Sequence, residues 1–188
     1  MKSERVVVTI ICATFDEYAI CKDRLRPQTE RKLKNRRVSS WSDERLVVAL
    51  IHAGPGKIQC ASATQMIIDE FSPDLVIDVG AAGSLDPLNE IGCVVCVRNC
   101  FEYDVCPVEQ FSRLSRDLTT STVAANPDDL THKILAEFFR YVTNIGEVPS
   151  VRFGNVASGE QNVADTAFRK LLQNAFDALA CNWETAAA

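Results

Sequence analysis

The sequence predicts an α/β protein whose central, mixed and mostly parallel sheet is covered by helices on both faces, a single-domain three-layer αβα arrangement. Three observations predict it. Runs rich in β-branched residues alternate with segments of helical periodicity along the chain. Residues 5–12 (RVVVTIIC) and 75–79 (LVIDV) are nearly continuous apolar runs, the pattern of strands buried on both sides. Glycine turns at Gly54, Gly56, Gly80 and Gly83 follow strand-like segments, and open α/β sheets bind ligands beyond the carboxyl ends of their strands.

The elements follow in order. Residues 16–25 read as a short helix stopped by Pro27. Residues 37–41 and 45–53 form a hairpin that turns at Ser42, Asp43 and Glu44. The turn Gly54-Pro55-Gly56 ends the second of these strands. Residues 57–71 then place Ile58, Ala61, Met66, Ile67 and Phe71 at roughly helical spacing, until Pro73 ends the helix. The strand at 75–79 closes in Gly80-Ala81-Ala82-Gly83, and residues 93–101 form the next strand. Residues 106–122 are polar and uneven and read as a mobile loop. Residues 128–142 read as a helix with Asn126 as its cap and Pro127 as its first residue. A strand at 151–157, a helix at 164–173 and a strand starting at 178 complete the alternation. The sequence contains no internal repeat, low-complexity tract or linker.

Composition narrows the function. The chain has 188 residues, enough for one domain with a real core, and a net charge of -5. That sign argues against nucleic acid as the main partner, which needs a clustered positive field. The basic stretch 24–37 is broken by Gln28, Thr29 and Glu30 and reads as a solvated segment between elements. No apolar run is long enough to span a bilayer, and the N-terminus lacks a cleavage signal, so a cytoplasmic protein with no membrane partner is expected. Eight cysteines without a secretory signal read as small hydrophobes rather than a disulfide framework. Cys93 and Cys96 would face opposite sides of a strand, so no metal site is expected there. The Gly54-to-Lys57 turn is too short for a phosphate-binding Walker loop. His52 reads as a structural histidine.

Several motifs in order carry a resemblance. The run AGPGKIQCASATQMIIDEFSPDLVIDVGAAGSL, residues 53–85, combines a Gly-x-Gly-Lys turn, a helix, a Pro-Asp turn, a strand and a Gly-x-Ala-Gly turn. IGCVVCVRNCFEYDV, residues 91–105, resembles the following strand with its Tyr/His-Asp end. VASGEQNV, residues 156–163, resembles a Ser-Gly-Asp turn, and CNWETAA, residues 181–187, a Val-Glu-Met-Glu motif. Together they resemble the nucleoside phosphorylase/nucleosidase superfamily, and within it the nucleosidases that cleave 5'-methylthioadenosine and S-adenosylhomocysteine.

The resemblance implies residue roles. Breaking an N-glycosidic bond builds positive charge on the ribose and negative charge on the leaving base. The family's water-activating carboxylate falls by position on Asp16, with Glu17 adjacent and able to substitute. Glu184 matches the glutamate that accepts from the ribose hydroxyls, a task a carboxylate can perform bidentately. Trp183 stands in place of a methionine against the sugar. Asn162 and Val163 occupy the base-holding position, where Asn162 cannot stack as an aromatic would. Pro55, Gly80, Ala81, Ala82 and Gly83 are expected to line the substrate.

Ala81 replaces the serine with which phosphorylases hold phosphate, and Asp78 stands where they carry arginine. A carboxylate there repels phosphate and favours water. The family works as homodimers without a cofactor, and the expected setting is methionine salvage.

The sequence ends at Ala188, ahead of a further strand and helix in the family. That strand carries a Ser-x-Asp motif whose aspartate protonates the base. The expected domain over 1–188 is therefore C-terminally incomplete, and hydrolysis by this chain alone is expected to be weaker by about 10²–10⁴-fold. A phosphate-dependent nucleoside phosphorylase and a catalytically weak nucleoside-binding module are the two alternatives.

Overall fold

The structure is a computed structural model and describes residues 5–105, 121–122 and 150–188. The chain divides into two compact units, Met1–Ala81 with Ala187–Ala188, and Ala82–Ala186.

The first unit is built on five strands: β1 (Val6–Cys12), β2 (Thr29–Leu33), β3 (Arg36–Ser42), β4 (Leu46–His52) and β5 (Leu75–Asp78). Their order is β2-β3-β4-β1-β5. The apolar run β1 lies at the inside, parallel to β4 and β5, as its lack of alternation predicts. The hairpin β3–β4 and the edge pair β2–β3 are antiparallel.

Helix α1 (Phe15–Leu25) starts at a capping box: the Thr14 side chain accepts from the Glu17 amide, and the Glu17 carboxylate accepts from the Thr14 amide. It ends at Arg26, which adopts a left-handed conformation ahead of Pro27. Helix α2 (Lys57–Phe71) starts at Gly56 and stops at left-handed Ser72, before Pro73. The two helices cover opposite faces. Ile11 of β1 packs in one cluster with Cys60, Ala63 and Ile67 of α2. Its neighbour Cys12, which must point the other way, touches Cys21 of α1. Ile51, Val38 and Ala53 complete the α2-side core.

The second unit holds β6 (Gly83–Ser84), β7 (Val94–Glu102), β8 (Ser121–Thr122), β9 (Val151–Ser158) and β10 (Ala178–Asn182), in the order β6-β10-β9-β7-β8. Again the inner pairs are parallel, β7–β9 and β9–β10, and the short edge strands antiparallel. Helix α3 (Thr166–Phe176) buries Leu172 and Phe176. These pack with Phe101, Tyr103, Ala157, Ala178 and Cys181, and the Phe101 and Phe176 rings stack at 5.2 Å. Burying side chains of this size stabilises by roughly 1.5–3 kcal/mol each.

Two expectations need correction. The basic stretch 24–37 is solvated, yet it is not irregular: β2 lies within it, pairing Thr29 with Ser40 through Leu33 with Arg36. Its lysine, arginine and glutamate side chains mask the polarity of an exposed edge strand and also discourage edge-to-edge pairing. Helix α3 starts two residues later than the 164–173 expected because Asp165 caps it, accepting from the Phe168 amide. The expected loop at 106–122, apart from β8, and the expected helix at 128–142 lie outside the described residues. Among the described residues no helix is long and apolar enough to cross a membrane, and no group of three or more His, Cys, Asp or Glu is placed to hold a metal.

Candidate active site

In the first unit the parallel register aligns three carboxyl ends. Cys12 pairs with His52, and Ile11 with Asp78. The Ala53 amide continues the ladder onto Cys12 at 2.8 Å, and the Val79 amide onto Ile11 at 2.9 Å. The chain therefore leaves β1, β4 and β5 side by side, as residues 13–14, 53–56 and 79–81.

Glu17 sits where these segments meet. Its Oε2 accepts from the Thr14 amide at 2.9 Å and its Oε1 from the Ala81 amide at 2.8 Å. Each oxygen keeps a second lone pair for another donor. Gly80 lies close under the carboxylate: a Cβ added there would stand 3.2 Å from Oε1. Asp16, one residue earlier, is exposed and forms no hydrogen bond or ion pair among the described residues. Pro55 is exposed between Gly54 and Gly56, whose φ angles of 89° and 91° belong to the region that favours glycine.

His52 is half-buried at the end of β4. Phe15 meets it edge-on with ring centroids 5.9 Å apart, and the Tyr18 ring lies 6.0 Å away. Burial first, then the charges of Arg36 and Arg37, hold its pKa below the ordinary histidine value. The imidazole is thus neutral near pH 7 and packs as an aromatic.

The second unit aligns three carboxyl ends of its own. Glu102 pairs with Ser158, and Ser158 with Asn182. Beyond them come Tyr103 and Asp104, the turn at residues 159–163, and Trp183 with Glu184. Glu184 is half-buried, and its Oε2 accepts from the Trp183 amide at 3.1 Å. The buried Ser158 hydroxyl accepts from the Ala186 amide at 3.3 Å and ties this terminal segment to β9. Trp183 is 40% exposed, so it is not core. Asn162 is exposed, while Val163 packs half-buried against the unit's core. Ala82 is exposed. Gly83 pairs with Cys181, where an added Cβ would stand 3.3 Å from the Cys181 sulfur.

The sequence reading therefore splits between two edges. Glu17, Gly80, Ala81 and Pro55 gather at one, with Asp16 pointing to solvent. Gly83, Asn162, Val163, Trp183 and Glu184 belong to the other unit. Sequence reasoning assigned no role to Thr14, Ser158 or Tyr103. Thr14 had a readable signal, the Thr-x-x-Glu spacing of a capping box. Ser158 and Tyr103 stood only as members of motifs, because they act on partners far along the chain.

Residues 7–188 match the model of the phosphorylase superfamily. Among curated proteins, the chain is similar to the 5'-methylthioadenosine/S-adenosylhomocysteine nucleosidase of Anoxybacillus flavithermus, at 31% identity over 52% of this chain. That alignment spans 42% of the relative's own length. The nucleosidase of the same description from Geobacillus sp. strain WCH70 is 26% identical over 96% of this chain and 76% of its own. Among solved structures, the Helicobacter pylori nucleosidase mutant with 5'-methylthioadenosine in its active site superposes with a TM-score of 0.78. It is 18% identical and covers 98% of this chain and 78% of its own. A futalosine hydrolase mutant from the same organism superposes at 0.77, with 18% identity over 97% of this chain and 80% of its own. At these identities the structures establish a shared fold.

Proposed function

The chain belongs to the phosphorylase superfamily, and from that premise we propose that it is a nucleosidase hydrolysing the N-glycosidic bond of a purine nucleoside such as 5'-methylthioadenosine or S-adenosylhomocysteine. The observation that carries this reading is the Glu17 carboxylate. It stands at the carboxyl ends of parallel strands, held by two backbone amides and pressed against a glycine.

A carboxylate so fixed is oriented without further loss of side-chain freedom, which is what a general base needs. Glu17 takes the proton from the attacking water as the C–O bond forms and the C–N bond breaks, and the departing base takes its own proton from solvent. Asp16 is a first-turn acid that favours the α1 dipole. Glu184 accepts from the ribose hydroxyls and opposes the positive charge that develops on the sugar. Val163 and the backbone around Asn162 hold the base. Pro55 and residues 80–83 line the substrate.

Water rather than phosphate is the nucleophile. Ala81 offers no hydroxyl to a phosphate oxygen, and its amide is already given to Glu17. Asp78, at the end of β5, adds a carboxylate that an anion avoids. The reading calls for no cofactor and no metal. The family match from residue 7 to 188 supports treating the chain as one phosphorylase-like domain. The resemblance also supports a homodimer working in the cytoplasm, in methionine salvage.

The test is base release from 5'-methylthioadenosine by the purified 188-residue chain, with products separated by chromatography in the presence and absence of phosphate. Free adenine with free sugar, independent of phosphate, is the expected result. Release that requires phosphate would overturn the reading of Ala81 and Asp78. Binding without release would leave a nucleoside-binding module or the loss of the Ser-x-Asp strand as the reading, and the same assay on a longer chain carrying that strand separates the two.

A further inference from the structure

The turn at residues 159–163 is braced from outside itself, by two consecutive residues that follow β7. Tyr103 is fully buried, and its hydroxyl shares its one hydrogen between the Gly159 carbonyl at 2.9 Å and the Gln161 carbonyl at 3.1 Å. The Asp104 carboxylate accepts from the Glu160 amide at 2.8 Å. Three successive residues of the turn are thus held by side chains that lie 56 or 58 residues away in sequence.

The ring is held as firmly as the hydroxyl. Phe168 meets it edge-on at 5.6 Å. A Cβ on Gly159 would stand 2.6 Å from the Tyr103 ring, so only glycine lets the backbone lie on the aromatic face at this separation. The turn itself is tight. The Gln161 amide donates to the Gly159 carbonyl at 2.8 Å, and the Ala164 amide to the Asn162 carbonyl at 3.0 Å. Such short-range bonds leave a segment free to rearrange unless something fixes one conformer, and its side chains at Gln161 and Asn162 are exposed.

We propose that Tyr103 is a positioning residue that sets the conformation of the 159–163 turn and thereby the fit of the nucleobase against Asn162 and Val163. The inference rests on the reading of Asn162 and Val163 as the base-holding residues. Asn162 offers no aromatic face, so base recognition falls on edge-on hydrogen bonds. Those are more demanding of backbone position than stacking is. Tyr103 supplies that position without touching the base.

The test is Tyr103→Phe, which keeps the ring and removes only the hydroxyl, read in two ways. Hydrogen exchange of the peptide covering 158–164, without ligand, is expected to quicken about tenfold while β9 and α3 stay protected. In base-release assays KM for 5'-methylthioadenosine is expected to rise about tenfold with kcat within about threefold, because only binding of the base is loosened. Unchanged exchange would overturn the brace. Faster exchange with unchanged KM would overturn its role in base fitting. A fall in kcat equal to the fall in kcat/KM would do the same. If Tyr103→Phe does not fold, Asp104→Ala loosens the same turn at Glu160, and faster exchange there with unchanged KM would overturn the link between the turn's conformation and base fitting. If the unaltered chain neither binds nor cleaves a nucleoside, the nucleosidase reading fails, and with it the base-fitting role; the exchange arm still decides whether Tyr103 braces the turn.

Discussion

The two units hold their candidate residues by opposite means. At the first edge the side chain proposed to act is itself the brace: Glu17 closes the α1 capping box with one oxygen and reaches the Ala81 amide with the other. At the second edge the turn leading to the residues proposed to meet the base is held by others, through the Tyr103 hydroxyl on Gly159 and Gln161 and the Asp104 carboxylate on the Glu160 amide. A side chain that positions itself cannot be altered without losing both its chemistry and its support. A segment positioned from behind can lose its support alone. The difference predicts that substitutions at the first edge mix stability with catalysis, whereas substitutions at the second can separate binding from both.

The strongest break in that comparison is Glu17→Gln. The amide retains the size of the side chain, yet one of its two terminal atoms is a donor facing a backbone N–H. Base release is expected to fall by about 10²–10⁴-fold, the usual worth of a positioned base. The urea midpoint should fall as well, by the equivalent of about 1 kcal/mol for a weakened hydrogen bond at a half-exposed site. Progress curves and equilibrium unfolding on the same preparation check both. Full activity in Glu17→Gln would return the role to Asp16.

Gly159→Ala tests the other edge. An added methyl would sit 2.6 Å from a fully buried tyrosine ring, so ring and turn cannot both stay in place. The expected cost is about 1–3 kcal/mol of stability, typical of overpacking. A thermal melt unchanged from wild type would mean the turn is free to lift away, contrary to the contacts described.

How much of this was legible in the sequence depends on the range of the interaction. The order of strands and helices was readable because burial writes itself locally, as in the unbroken run of β1 or Pro27 and Pro73 beyond the helix ends. β2 was missed because its residues, TERKL, are those of a solvated edge, and charge there hides strand pairing. Glu17 could be flagged but not preferred to Asp16 from sequence, since the bond that favours it is to Ala81, 64 positions on. Tyr103 could be seen only as part of a motif. Its role needs the β7–β9 register that brings Glu102 beside Ser158, and nothing local encodes that pairing.

Thr14→Ala sharpens the first comparison by removing support while leaving the carboxylate in place. It deletes the side-chain acceptor of the capping box and keeps the Thr14 amide that donates to Glu17. A loss of about 1 kcal/mol in stability is expected, with base release changed far less than in Glu17→Gln. If Thr14→Ala were as inactive as Glu17→Gln, the defect in both would be structural, and Glu17 would lose its claim to chemistry.

The smallest expected effect is a pH dependence confined to the first unit. His52 has a folded-state pKa below its ordinary value of 6.5, because burial and the charges of Arg36 and Arg37 disfavour the imidazolium. The unfolded chain then binds a proton more readily than the folded one. Stability from this residue is present above about pH 6.5 and is lost as pH falls through the folded value. The carboxylates of Asp43 and Asp86 are also held below their ordinary 3.8, so their own losses begin only below about pH 5. His52→Phe keeps an aromatic beside Phe15 and Tyr18 and cannot be protonated. Its stability, followed by urea unfolding between pH 7.5 and 5, should decline less steeply than that of the unaltered chain. Equal slopes would show that the imidazole titrates as freely folded as unfolded, and that Phe15 and Tyr18 do not shield it from water.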